Sequence, residues 1–115
     1  NHKTKELKHQ KLAVPTRDGL EFVALEEVTK LQADRNYTRI FVSGGSQLLS
    51  THHLKLYEEA LPDELFFRTH HSFIINLQHV QTYMRGEGGY VVLTDGSTAD
   101  ISKRRKRDFL QVFGH

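Results

Sequence analysis

Short runs in which apolar and polar residues alternate follow one another along most of the chain, starting at Lys11. Alternation with a period of two predicts β-strands that bury one face. The clearest pair of predicted strands is Leu12–Thr16 and Leu20–Val23, because they flank Arg17-Asp18-Gly19 and an Asp-Gly step is a strong hairpin signal. The same pattern predicts further strands at Lys30–Ala33, Tyr37–Ser43, Gln47–Leu49, Leu65–Thr69, Val80–Arg85, Gly89–Thr94 and Ser97–Ile101.

Helical spacing is confined to a few short segments. The best helix candidate runs from the N-cap oxygens of Ser50 and Thr51 to Pro62, with apolar residues three and four apart between them. Ala24–Thr29 is predicted as one helical turn, and Phe73–Val80 fits either a short helix or a strand. A terminal helix is predicted from the apolar residues Phe109, Leu110, Val112 and Phe113. Many short strands separated by turns indicate a mostly β fold of antiparallel sheets rather than alternating strand–helix units.

The length and composition are those of one domain. The chain has 115 residues and no cysteine, which excludes a disulfide framework, a thiolate metal site and a thiol nucleophile. It contains no apolar run near the roughly 20 residues that a membrane helix requires, so we expect this domain to have no membrane partner and to be cytoplasmic. Because it starts with Asn1 and its first ten residues are polar, we interpret residues 1–10 as a linker remnant from an upstream domain and residues 11–115 as the folded domain.

Positive charge is gathered near the two ends of the sequence. Residues 103–115 contain five basic residues and one acidic residue, whereas residues 11–102 contain 8 basic and 12 acidic residues. A basic cluster suits a polyanionic partner, because each phosphate that it neutralises releases counterions. A run of like charges is, however, more often simply a solvated surface.

Three polar segments are candidates for nucleic-acid contacts. Ala33–Ile40 places Arg35, Asn36, Thr38 and Arg39 at a turn around Tyr37, and these are side-chain types that read base edges or bind phosphate. On composition alone, a polar hairpin with Tyr37 packed in the core fits this segment better. Ser102–Arg107 follows a predicted strand, and Ser102 is expected to cap the terminal helix, whose N–H groups would suit a phosphate. A basic run at a helix start opposes the helix dipole, which favours an anionic partner for this segment.

The third segment, Phe66–Asn76, contains paired histidines, which raises the alternative of a metal site. His70 and His71 are adjacent, as are His52 and His53 earlier in the chain. Neighbouring residues on a strand point to opposite faces, so such a pair seldom chelates one ion.

The acidic residues Glu58, Glu59, Asp63 and Glu64 surround a helix end, where a solvated surface is the simpler interpretation. Because no nucleophile elbow, phosphate loop or metalloprotease helix occurs, we expect no enzyme, no catalytic residue and no cofactor.

In their order along the chain, these segments resemble the LytTR DNA-binding domain of bacterial response regulators. The resemblance rests on VTKLQADRNYTRIFV (28–42), STHHLKLYEEALPDELFFRTHHSFIINLQHV (50–80) and LTDGSTADISKRRKRDFL (93–110). The family pattern Phe-x-Arg-x-His-x-Ser-aromatic-aliphatic-aliphatic-Asn is matched by the segment FFRTHHSFIIN that ends at Asn76 and includes Phe67, Arg68, His70 and Ser72. The resemblance implies an elongated stack of small antiparallel sheets with about ten short strands and one or two short helices.

The resemblance also implies that loops, rather than a helix, enter successive major grooves of double-stranded DNA. Base-edge contacts are expected from Thr38, His71 and Arg104, although His71 stands where the family often has arginine. The family motif also includes Arg68, His70 and Asn76, whose hydrogen bonds are expected to shape the loop. The full set of DNA-binding residues expected from the resemblance is Asn36, Thr38, Arg39, His71, Ser72, Ser102, Lys103, Arg104, Arg105 and Arg107.

The expected role is transcription regulation as the output domain of a two-component response regulator. Such proteins usually have an upstream receiver domain and bind tandem repeats as two copies, so a second copy on DNA is an expected partner. Two alternatives remain open on the sequence. Eight histidines leave room for a metal-dependent hydrolase or sensor, and the basic terminus allows an RNA-binding or protein-interaction module.

Overall fold

A computed structural model describes residues 10–115, and within that range the chain forms ten strands in three antiparallel sheets. The strands are β1 (Lys11–Pro15), β2 (Leu20–Ala24), β3 (Val28–Asp34), β4 (Tyr37–Val42), β5 (Ser46–Ser50), β6 (Phe66–His70), β7 (Phe73–Asn76), β8 (Val80–Met84), β9 (Tyr90–Leu93) and β10 (Thr98–Asp100). The helices are α1 (Leu54–Ala60) and α2 (Lys106–Val112), with 3-10 turns at Leu25–Glu27 and Leu77–His79. The predicted mostly β fold is confirmed, whereas the predicted linker lies outside the described residues except for Gln10.

The largest sheet has the strand order β5-β4-β3-β7-β6 and holds the main core on one face. Leu31 of β3 is in register with Ile40 of β4 and Ile74 of β7, and all three are buried. Tyr57 of α1 and Val14 of the β1–β2 hairpin pack into the same apolar cluster. Because burying a large aliphatic side chain contributes about 1.5–3 kcal/mol, this cluster is what holds α1 and the hairpin against the sheet.

A second core joins the opposite face to the three-stranded sheet, whose strand order is β10-β9-β8. Ile75 belongs to this second cluster together with Val91, Ile101 and Phe109 of α2. Successive residues of a strand point to opposite faces, so Ile74 and Ile75 of β7 serve the two cores in turn. The segment Phe73–Val80, which fitted either a helix or a strand, is therefore a strand followed by a 3-10 turn and the start of β8.

Two adjacent residues of β3 fix the turn between β9 and β10. The Thr29 hydroxyl donates to an Asp95 carboxylate oxygen at 3.1 Å, and Lys30 Nζ donates to the Thr98 carbonyl at 2.7 Å. The Lys30 ammonium lies 4.5 Å from the centre of the Phe41 ring. Burial lowers the pKa of Lys30, although the carboxylates of Asp95 and Asp100 oppose this shift. The three-stranded sheet is thus held by directional polar bonds as well as by apolar packing.

Asn76 connects the end of β7 to the segment before β3. Its side-chain nitrogen donates to the carbonyls of Leu25, at 3.3 Å, and Val28, at 2.9 Å, while its oxygen accepts from Gln78 N at 2.9 Å. The side chain is fully buried. Buried backbone groups must be paired, so Asn76 stabilises the fold at the end of β7, and its hydrogen bonds do not reach the β6–β7 turn.

Three local predictions are wrong. Ser50 does not cap α1, because it pairs with Thr38 as the last residue of β5 and its hydroxyl lies 2.5 Å from Tyr57 Oη. His53 occupies the N-cap position without a side-chain bond, although α1 does end before Pro62 as predicted. Tyr37 is 46% exposed and does not pack in the core.

The third wrong prediction concerns the start of the terminal helix. α2 begins at Lys106 with Arg105 at its N-cap position and no side-chain cap. Ser102 instead stabilises the turn that precedes the helix, since its hydroxyl oxygen accepts from Arg105 N at 3.2 Å. Of the apolar residues predicted to dock this helix, Phe109 is buried, whereas Phe113 is 51% exposed.

Asp95 is expected to make the stability of the fold depend on acid pH. Burial by itself raises the pKa of Asp95, but hydrogen bonds from Ser97 and Thr29 and the charge of Lys30 outweigh it and hold the pKa below its ordinary value. Such a carboxyl stabilises the folded state above its unfolded pKa, and this contribution is lost as the pH falls through the folded pKa. We therefore expect the free energy of unfolding of the unsubstituted protein to fall more steeply below about pH 4 than that of Asp95→Asn. Urea denaturation at pH 7 and pH 3 measures this, and parallel losses in both proteins would contradict it.

Asn76→Leu is expected to destabilise the fold by about 3 kcal/mol, because it leaves buried backbone groups without partners at roughly 1–3 kcal/mol each. Urea denaturation followed by circular dichroism measures the change. Gln81→Leu, on the exposed part of β8, is the matched control and should change stability by no more than about 0.5 kcal/mol. Equal free energies of unfolding for the two variants would show that Asn76 does not stabilise the fold.

Candidate nucleic-acid interface

Three connections meet at one end of the five-stranded sheet: the β3–β4 turn, the β5–α1 connection and the β6–β7 turn. The antiparallel registers bring them together, since Thr38 at the start of β4 pairs with Ser50 at the end of β5. The amide of Ala33 donates to the Ser72 carbonyl at 2.9 Å and so joins the β3–β4 region to the β6–β7 turn. Segments that are distant in sequence therefore form one continuous surface at this end of the sheet.

The β3–β4 turn presents Arg35, Asn36 and Tyr37, all of them exposed. Arg35 has φ +58°, a left-handed conformation that costs a non-glycine residue about 1–2 kcal/mol. Asn36 is exposed, as its expected DNA contact requires. Arg35 is also exposed at the tip of this turn, although it is not among the DNA contacts that the resemblance implies.

The two other residues expected from this turn are already engaged within the protein. Thr38 is fully buried and its hydroxyl donates to the His52 carbonyl at 2.8 Å, so this side chain has a partner within the protein and its base contact stays a prediction. Thr38 instead fixes the β5–α1 connection against β4. Arg39 remains partly exposed but forms an ion pair with Asp34 at 2.7 Å.

Arg68 organises the backbone of the β6–β7 turn. Its Nε donates to the His70 carbonyl at 3.0 Å and its Nη2 to the His71 carbonyl at 2.5 Å. Its Nη1 pairs with Glu58 of α1 at 2.6 Å. The planar guanidinium has several fixed donors, so a single side chain can hold two successive carbonyls and a helix at the same time.

His70 and His71 have different tasks within this turn. His70 is half-buried, and its Nδ1 accepts from Ser72 N at 3.1 Å, which places the proton of the neutral ring on Nε2. His71 is exposed, and its ring centre lies 4.4 Å from that of His70. Ser72 is half-buried, with its backbone held on both sides. The turn therefore offers His71 as its main outward side chain.

The segment from Ser102 to Arg105, which follows β10, is fastened to β6. Ser102 N donates to the Thr69 carbonyl at 2.8 Å, and the Thr69 hydroxyl donates to the Asp100 carbonyl at 2.9 Å. Arg105 Nε donates to the Arg68 carbonyl at 3.0 Å. The three-stranded sheet thus adds its own loop to the edge formed by the five-stranded sheet.

Arg105 differs from its basic neighbours in how its charge is used. Its guanidinium lies 4.5 Å from the centre of the Phe67 ring and pairs with Asp108 at 3.3 Å. Lys103, Arg104 and Arg107 are exposed, and within residues 10–115 none of them forms an ion pair. A cleft of about 400 Å³ at this place is lined by Glu58, Arg68, His71, Ser102, Arg104 and Arg105.

Sequence reasoning missed Glu58 and Thr69 as parts of this site. Glu58 was interpreted as solvated surface, yet it holds Arg68, which lies ten positions away in sequence. Thr69 is buried within β6 and bonds the segment after β10. The sequence contains no local signal for either contact, because both depend on how separate elements pack.

The remaining histidines of the described chain do not form a metal site. Both ring nitrogens of His79 lie 2.6 Å from protein oxygens, those of Thr94 and the Glu26 backbone. Within residues 10–115, no group of three or more histidine and carboxylate side chains is arranged to hold a metal ion. In the same range, the helices are too short or too polar to cross a membrane.

Two curated proteins share part of their sequence with this chain. The CO-responsive transcriptional regulator RcoM of Rhodospirillum rubrum is 28% identical over 92 residues, which are 80% of this chain and 39% of that protein. The sensory transduction protein LytT of Enterococcus faecalis is 28% identical over 110 residues, which are 93% of this chain and 45% of that protein. The chain therefore spans less than half the length of either relative.

A solved structure and a family model give the same assignment as these relatives. A solved LytTr DNA-binding domain from Bacillus cereus superposes with a TM-score of 0.80 at 22% identity, over 92% of this chain and 98% of that one. The family model described as the LytTr DNA-binding domain matches residues 18–114. This is a family of DNA-binding domains and not of enzymes, as the sequence resemblance implied. The chain belongs to the LytTR family of DNA-binding domains.

Proposed function

We propose that this domain binds duplex DNA sequence-specifically through three loops that enter successive major grooves. They are the β3–β4 turn, the β6–β7 turn and the segment from Ser102 to Arg105, and we call them the reading loops. The observation that supports this most directly is the joining of the three loops: Ser72 is bonded to Ala33, and Ser102 is bonded to Thr69. A set of loops with fixed spacing is a rigid reader, because little conformational entropy is lost when it meets a regular duplex.

The exposed side chains of the reading loops fall into two groups, those suited to base edges and those suited to phosphate. Arg104 suits the bidentate contact that arginine makes with guanine O6 and N7, and Asn36 suits the corresponding contact with adenine. His71 presents ring nitrogens that can hydrogen-bond a base edge. Phosphate contacts fall to the remaining exposed or half-exposed polar groups at the edge, which are Arg35, Ser72, Ser102, Lys103 and Arg107.

Four residues near the DNA face act within the protein in this proposal. Thr38 and Arg68 position the connections that carry the readers. Arg39 and Arg105 are among the DNA contacts that the resemblance implies, but each guanidinium already has a carboxylate partner. Their share of the phosphate attraction is therefore smaller than that of Lys103, Arg104 and Arg107.

We also propose that this domain is part of a longer protein, as the output module of a two-component response regulator in the cytoplasm. It would follow a receiver domain and bind tandem repeats together with a second copy of the chain. The support is the family and the match to a sensory transduction protein more than twice as long as the matched segment. The receiver is not needed for the binding tests below.

Selection from a pool of random duplexes is expected to recover a repeated sequence motif for this domain. Arg104→Ala should weaken binding to the selected duplex and relax the preference at one or two base pairs, at a cost of about 1–3 kcal/mol, since it removes a bidentate base contact. Fluorescence anisotropy across a salt series measures the affinities, and repeated selection with the variant measures the preference.

Lys11→Ala is the matched control, because Lys11 is exposed and lies at the far end of β1 from Pro15, whose carbonyl accepts from Thr51 N beside the reading loops. It should leave the selected motif unchanged. If the unsubstituted domain enriches no motif and binds single-stranded RNA or an unrelated duplex equally well, specific DNA recognition by this domain is wrong.

Arg68→Lys is expected to weaken binding to the selected duplex at least tenfold while leaving the salt dependence unchanged. Lysine keeps the charge but cannot hold two carbonyls and Glu58 in one planar arrangement, so the β6–β7 turn loses its shape. Glu58→Gln keeps an acceptor for Arg68 and should have a smaller effect. Wild-type affinity of Arg68→Lys, with the fold confirmed by circular dichroism, would rule out a positioning role.

A further inference from the structure

The β8–β9 turn lies against the backbone at the start of the segment from Ser102 to Arg105, which is the last of the three proposed reading loops. A Cβ atom on Gly88 would be 2.0 Å from the Ile101 carbonyl oxygen and 3.0 Å from Lys103 N, so only glycine fits this approach. The Gly89 carbonyl accepts from Ile101 N at 3.0 Å, and Tyr83 Oη donates to the Gly88 carbonyl at 3.0 Å. Residues of this turn are therefore fixed neighbours of the segment from Ser102 to Arg105.

This packing places Arg85 beside the basic residues of α2. Arg85 and Lys106 line a cleft of about 460 Å³ together with Tyr83, Leu110 and His115. Lys106 also lines an adjoining cleft of about 400 Å³ with Lys103, Arg107, Leu110, Gln111 and His115. We call the continuous surface formed by Arg85, Lys103, Lys106 and Arg107 the α2 basic groove.

Among the described residues, no aspartate or glutamate side chain lines either cleft of the groove. The three ion pairs found among the described residues belong to Arg39, Arg68 and Arg105, and none belongs to a groove residue. Glu87 lies in the same turn as Arg85 but does not line the clefts. Four cations that form no ion pair with a side chain of the described residues repel one another, and a surface of this kind attracts anions.

We propose that the α2 basic groove binds the phosphodiester backbone of the duplex beyond the base pairs contacted by the segment from Ser102 to Arg105. The proposal rests on the proposed function and extends its footprint to Arg85 and Lys106, which the sequence resemblance did not select. The groove is continuous with the reading loops through Lys103, which follows Ser102 directly. Lysine and arginine that contact phosphate add affinity without reading sequence.

Duplex length provides the test, because a flanking contact needs flanking DNA. Three duplexes are compared: the selected site alone, the site extended on the side read by Arg104, and the site extended on the other side. For the unsubstituted domain, we expect the first extension to raise the affinity several-fold more than the second. The measured quantity is the ratio of the affinity for each extended duplex to that for the short one.

Arg85→Ala and Lys106→Gln are each expected to lower this ratio for the first extension only. Losing one phosphate contact should reduce the salt slope by about 0.9, which is about an eightfold loss at 0.1 M salt. Arg85→Lys should restore most of the ratio, because a phosphate is satisfied by a point charge. Lys11→Ala, at the far end of β1, is the charge-matched control.

The outcomes separate the two proposals. If the unsubstituted domain does not prefer the selected site to a scrambled one, the proposed function fails. If it prefers the site but the two extensions are equivalent, or Arg85→Ala alters both ratios equally, the groove attracts DNA only through general electrostatics and the inference is wrong. Failure of Arg85→Lys to restore the ratio would show a structural role for the guanidinium and also overturn it.

Discussion

The outer edge of β6 joins the five-stranded sheet to the three-stranded sheet, and the arrangement of the candidate interface depends on it. β6 is the last strand of the five-stranded sheet, and its register with β7 skips Thr69, which leaves a bulge. The carbonyls of Arg68 and Thr69 accept from Arg105 and Ser102, so the segment after β10 is bonded along this edge. Unpaired strand edges invite aggregation, and here the edge is occupied by a segment of the same chain. This join adds to the second apolar core and to the hydrogen bonds of Thr29 and Lys30, and it is the one that bonds the segment after β10 directly to the strand that leads into the β6–β7 turn.

The same join divides the arginines into two groups. Arg68 and Arg105 lie along β6, and each is held by a carboxylate and by at least one backbone carbonyl. Their donors are directed into the protein, where they define loop geometry. Arg35 and Arg104 lie at loop tips and are exposed, with donors available to a partner. Position near the proposed DNA interface is therefore a poor guide to the role of an arginine, and the partners of its guanidinium are a better one.

The elements of the fold could be predicted from the sequence wherever the signal was local. The Asp-Gly turns and alternating residues located most strands, and Pro62 marked the end of α1. The burial of Thr38 was also within reach, since residues two apart on a strand share a face and Ile40 is apolar. The bulge at Thr69 and the bond between Glu58 and Arg68 could not be predicted, because they arise from packing between separate elements. Arg85 joins the α2 basic groove for the same reason, through the close approach of Gly88 to Ile101.

In the β6–β7 turn, the groups that fix the backbone conformation differ from the side chain that is free to contact a partner. The carbonyls of His70 and His71 are held by Arg68, the Ser72 amide is held by His70, and the Ser72 carbonyl is held by Ala33. These backbone groups are thus satisfied without using the side chain of His71. Because the backbone does not depend on that side chain, another residue at position 71 would change the hydrogen-bond donors and acceptors offered to a base without changing where they are offered. A turn built in this way can alter its sequence preference while the spacing between the three loops stays the same.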